Sequence, residues 1–78
     1  MEKVAHWVQT FFAQHTTIKQ SKQIGNEFFS HHIDGEIFEA LENDDLIELG
    51  VGSIGLRKKF LKEVKALMEK DEYHQVLF

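Results

Sequence analysis

The apolar residues Val4, Trp7, Val8, Phe11 and Phe12 recur at i, i+3, i+4, i+7 and i+8. That spacing draws a single stripe along a helix and predicts one over about Lys3 to Gln14. From His15 to Gln20 (HTTIKQ) the pattern stops at a Thr pair with polar neighbours. A loop is expected there, with Ile18 turned back onto the core. A second helix is expected from Ser21 or Lys22 to Ser30, burying Ile24 and Phe28, with the burial of Phe29 left open. Phe12, Phe29 and Tyr73 are the aromatics expected to be most exposed.

Ile33-Asp34-Gly35 interrupts the periodicity. Two short helices are expected next, Gly35 to Leu41 and Asn43 to Leu49, with Ile37, Phe38, Leu41, Leu46, Ile47 and Leu49 as their apolar positions. Asn43 is the expected N-cap of the second, since its side chain can accept from orphan backbone N–H groups. Asp44 and Asp45 then lie in the first turn, where the helix dipole favours carboxylates. Gly50 follows as a C′ glycine in the left-handed conformation.

The last and longest helix is expected from about Ser53 to Lys70 or Glu72, with Leu56, Phe60, Leu61, Val64, Leu67 and Met68 at helical spacing. Lys59 with Glu63 and Lys65 with Glu69 offer i,i+4 ion pairs. Period-2 alternation is absent, so the expected fold is all-α: a compact five-helix bundle with short central helices and a long C-terminal helix. Residues 1–72 form its one domain, and 73–78 a short tail or the start of a linker. Helices this short do not persist alone. Their stability is expected from a shared core of Trp7, Phe11, Phe28, Phe38, Leu49, Phe60 and Val64.

A chain of 78 residues with no cysteine excludes a disulfide framework and a thiolate zinc site, and it leaves little interior for a ligand cavity. Function is therefore expected on the surface. The longest apolar runs are a few residues, far short of the ~20 that span a bilayer. No basic-then-apolar leader opens the chain, so an intracellular location, cytoplasmic or nuclear, is expected. Net charge is −4, and its distribution is lopsided. Asp34, Glu36, Glu39, Glu42, Asp44, Asp45 and Glu48 bring seven carboxylates with no Lys or Arg among them. Arg57, Lys58, Lys59, Lys62 and Lys65 follow with only Glu63 between them.

Six segments stand in a telling order: Val4-Ala5-His6-Trp7-Val8, Ile24-x-x-x-Phe28, Ile33-Asp34-Gly35, Leu41-Glu42-Asn43-Asp44-Asp45-Leu46, Leu49-Gly50-Val51 and Gly55-Leu56-Arg57-Lys58-Lys59. Together they resemble the pattern of a SAM (sterile alpha motif) domain over about residues 4 to 68. The stretch from Phe12 to Gln23 departs from it by looking longer and more polar than the usual first connection. Ile24 stands where the family often has Tyr, and Leu56 where it often has His. The resemblance implies a non-enzymatic module for scaffolding, signalling or regulation. Such a module binds another SAM domain, of the same or a different protein, head to tail.

The charge pattern supplies the candidate surfaces. The acidic one is Asp34, Glu36, Glu39, Glu42, Asp44, Asp45 and Glu48. The basic one, at the start of the last helix, is Gly52, Ser53, Ile54, Gly55, Leu56, Arg57, Lys58, Lys59 and Lys62. Cations in the first turns of a helix oppose its dipole, and a local conflict of that kind often marks function. Gly52 and Gly55 keep that end slim enough for a partner to approach. RNA-hairpin binding through the same basic start is the second reading, weakened by the negative net charge and the nearby carboxylates. No membrane partner, small-molecule substrate or cofactor is expected. His31 and His32 are adjacent, so their side chains point apart and make no metal site. No residue is assigned a catalytic role.

Overall fold

The computed structural model describes residues 2–70. Five helices follow in order: α1 (Glu2–Ala13), α2 (Ile18–Ser30), α3 (Gly35–Glu39), α4 (Asn43–Glu48) and α5 (Ile54–Met68). No strand occurs among the described residues, and the all-α bundle with short central helices is the architecture found. The domain boundary expected at 72 and the segment Tyr73–Phe78 lie outside the described residues.

Phe60 organises the core. Its ring lies 5.4–5.9 Å, centroid to centroid, from those of Trp7, Phe11, Phe12, Phe28 and Phe38. One residue of α5 thus touches aromatics from α1, α2 and α3. Most of these contacts are edge-to-face, the arrangement that brings a positive ring edge to a negative ring face. Phe12 was expected among the exposed aromatics. It is instead fully buried, because the Phe60 ring stacks on it at an interplanar angle of 16°. Phe29, expected in the same set, is 44% exposed.

The first connection is shorter than expected. Thr17 caps α2 by accepting the Gln20 N–H on Oγ1 at 3.1 Å, so the helix begins at Ile18 and only residues 14–17 link it to α1. Ile18, expected on the core, becomes the first helical residue and is 67% exposed. The buried face of α2 is Ser21, Ile24, Gly25 and Phe28. Gly25 lets the first two helices meet closely. A Cβ there would lie 3.3 Å from both the Ala5 carbonyl oxygen and Gln9 Cβ, a contact only a bare backbone makes comfortably.

Two helices end in the same way. At α4 the Gly50 N–H donates to the Ile47 carbonyl and the Val51 N–H to the Leu46 carbonyl, with Gly50 at φ 94°. At α2 the His32 N–H donates to Phe29 and the Ile33 N–H to Phe28, with His32 at φ 57°. Both are Schellman turns, which satisfy orphan carbonyls through one left-handed residue. Gly50 thus has the role expected from sequence. Nothing lies within 4 Å of a Cβ built on it, so Gly50→Ala isolates the backbone term. It is expected to cost about 1 kcal/mol and lower the melting temperature by about 4–8 °C, measured by far-UV circular dichroism.

The start of α4 differs from expectation. Glu42, rather than Asn43, occupies the N-cap, and the Asp45 carboxylate accepts the Glu42 N–H at 2.9 Å. The expected pairs Lys59–Glu63 and Lys65–Glu69 do not close within 4.0 Å. His31 Nε2 lies 3.4 Å from a Glu27 carboxylate oxygen, an i,i+4 contact on the surface. Solvated i,i+4 partners gain little, and ordering two long side chains offsets it.

Candidate functional site

The middle segment carries exposed carboxylates and an apolar groove that Asp45 and Glu48 help to line. Two carboxylates start helices: Asp34 Oδ1 accepts the Ile37 N–H at 2.9 Å, and Asp45 does the same for Glu42. Glu36, Glu39, Glu42, Asp44 and Glu48 are exposed. Between the end of α2, α3 and α4 lies a groove lined by Ile33, Ile37, Ala40, Leu41 and Leu49, with His31, Asp45 and Glu48 at its margin. Ile37 and Ile47, expected as apolar positions of these helices, are about half exposed, at 47% and 51%. Helices of five and six residues bury only one narrow stripe, and Phe38 and Leu46 take it. Neighbours at i−1 and i+1 must face elsewhere. The apolar floor inside the acidic surface was thus missed in the sequence.

The start of α5 presents the opposite charge. Ser53 is its N-cap, with Oγ accepting the Leu56 N–H at 3.3 Å. Ile54, the first helical residue, is 62% exposed. Lys58 and Lys62 follow it at i+4 and i+8 and so share its face. Lys59 and Lys62 line a shallow depression with Phe11, Gln14, His15 and Glu63, where α5 passes the end of α1. Lys58, Lys59 and Lys62 are all exposed, and Leu56 is half-buried. Gly52 and Gly55 are exposed too, and a Cβ at either would meet nothing closer than Ser53 Oγ, 3.8 Å from that of Gly55.

Arg57 does not belong to this surface. It was expected beside Lys58, yet it is only 8% exposed. Its Nε donates to Asn43 Oδ1 at 2.8 Å and its Nη1 to the Val51 carbonyl at 2.8 Å. The reason is register: Arg57 precedes Phe60, Val64 and Leu67 by three, seven and ten residues, so it sits on the buried face of α5. Its stem covers core while its donors find a side-chain amide and a backbone carbonyl.

Among the described residues no ion pair within 4.0 Å joins the carboxylates of 34–48 to the lysines of α5. No group of three or more His, Asp or Glu among them could hold a metal ion. No helix among them is long and apolar enough to cross a membrane. The family model for the SAM domain (sterile alpha motif) matches residues 1–68. The chain belongs to the SAM family. Searches of curated proteins and of solved structures returned no match. SAM domains generally act as non-catalytic protein-interaction modules. In this SAM domain the two departures in side chain prove mild, for Ile24 is buried and Leu56 half-buried. The third, the long first connection, is a helical turn of α2 rather than extra loop.

Proposed function

We propose that this SAM domain binds another SAM domain head to tail, in a scaffolding or signalling role. The acidic surface around the groove of α3 and α4 on one molecule receives the start of α5 from the next. What supports this reading is a pair of opposite charge sets on one chain, with no ion pair within 4.0 Å between them among the described residues and exposed isoleucines beside each. Charged rims around an apolar centre are the common anatomy of specific interfaces. A second copy of the chain meets the requirement, because it offers each surface the complement it lacks. Acid-to-base contact between copies is heterologous, so it propagates unless the rotation between copies closes a ring.

The opening of α5 gives a test in which stability and binding move oppositely. Gly55→Ala puts a methyl group on open surface inside a helix, where Ala is favoured over Gly by up to about 1 kcal/mol. The domain is expected to melt no lower than wild type. Self-association, followed by static light scattering against concentration, is expected to weaken about tenfold, as extra volume does in a close-packed contact. Unchanged association would place the contact elsewhere.

A further inference from the structure

The guanidinium of Arg57 bridges the two helices that carry the proposed surfaces. Through Nε it is tied to Asn43, the first residue of α4. Through Nη1 it is tied to Val51, between the turn that ends α4 and the cap of α5. The backbone path between these helices is residues 49–53, in which Gly52 separates the turn that ends α4 from the Ser53 cap of α5. With no side chain, Gly52 lets the turn and the cap rotate against one another. Leu46, Leu49 and Val51 are buried and fix where α4 rests. The bonds from Arg57 close a ring from Asn43 to Arg57 and fix how α4 is turned against the first turn of α5. That ring holds Asp44 and Glu48 on one side and Ile54 on the other, with Lys58 the next residue.

We propose that Arg57 is the positioning residue that sets the angle between the acidic and basic surfaces, so that each depends on it although it touches no partner. Removing a lysine of α5 injures one surface. Removing the bridge injures both, since each loses its reference to the other and to the core. A buried cation held by neutral oxygens suits this role. It needs two acceptors in fixed places, and the acceptors come from the two parts being joined. In a head-to-tail array this angle is also the rotation between successive copies, which decides between ring and filament. The binding consequence rests on the head-to-tail reading. The clamp itself does not.

The test uses the 78-residue chain made one-sided. Lys58→Glu with Lys62→Glu leaves only the acidic surface competent, and Glu39→Lys with Glu48→Lys leaves only the basic one. The two are expected to pair one to one. Arg57→Met is then placed in either partner, and affinity is read by isothermal titration at a temperature where circular dichroism shows full helix. A loss of about tenfold is expected from whichever side carries the change, the size of effect typical of residues that couple sites indirectly. Loss from one side alone, or from neither, overturns the proposal.

Asn43→Ala cuts only the bond to α4, at an exposed residue, and is expected to give the same two-sided loss at smaller size. It serves where Arg57→Met does not fold. Amide exchange in the isolated monomer separates this proposal from the reading it rests on. The Leu46 and Val51 N–H groups should exchange about tenfold faster in either variant, since their protection reports local opening. If the parent partners do not pair, the head-to-tail reading fails, and the exchange rates alone decide on the clamp. Unchanged exchange refutes it.

Discussion

Phe60→Ala is expected to leave the domain largely unfolded at room temperature. Truncating a buried Phe costs about 3–5 kcal/mol through lost transfer energy and the cavity left behind. Here the ring also contacts five others, and aromatic pairs contribute roughly 0.5–1.5 kcal/mol each beyond their area. A domain of this size has only about 4–10 kcal/mol to lose. The cavity would open where α1, α2, α3 and α5 converge, so collapse of one helix cannot fill it. Phe60→Leu, which keeps most of the volume, should retain the fold with a lower midpoint. Urea titrations followed by Trp7 fluorescence and by circular dichroism measure both variants. A loss under about 1 kcal/mol for Phe60→Ala would mean that the aromatic cluster is not the stabilising centre.

Lys58→Glu with Lys62→Glu is expected to abolish self-association while leaving the fold intact. Each change replaces an attraction to the acidic surface with a repulsion, and like charges juxtaposed at an interface cost several kcal/mol. A fall in affinity of about a hundredfold or more is expected. Stability should not fall with it. Both side chains are exposed, and the i,i+4 pair they form is like-charged before and after the change. A variant that loses binding yet melts no lower separates an interface from a structural role. Light scattering and thermal melts on the same samples make the comparison.

Much of the fold was legible because α1 and α5 carry full apolar stripes and because Gly50 marks a helix end by conformation alone. The start of α2 is marked too: Thr17-Ile18-Lys19-Gln20 has the T-x-x-Q spacing of a capped helix start, a signal that competes with the loop character of the Thr pair. Asn43 was assigned the cap that Glu42 takes, since adjacent polar residues compete for one position and tertiary contact decides between them. Arg57 withdraws Asn43 from that competition by holding its side-chain oxygen.

The candidate surfaces were legible in charge and only partly in composition. Lys58, Lys59 and Lys62 are exposed because they avoid the stripe of Phe60 and Val64, as periodicity requires. Arg57 lies on that stripe, and its position three residues before Phe60 was enough to flag it as inward-facing. Its charge argued for the surface, and its register prevailed because two oxygens were within reach. Ile37 and Ile47 show the opposite case. Their hydrophobicity argued for the core, but helices of five and six residues could not turn them inward.

Sedimentation velocity of the full chain, over a wide concentration range at low and high salt, tests the central claim most directly. Charge pairing between copies predicts a weight-average mass that climbs with concentration at low salt and falls back toward one domain at high salt, as screening shortens the reach of exposed charges. A single 9.1 kDa species at every concentration and both salt levels would contradict the account.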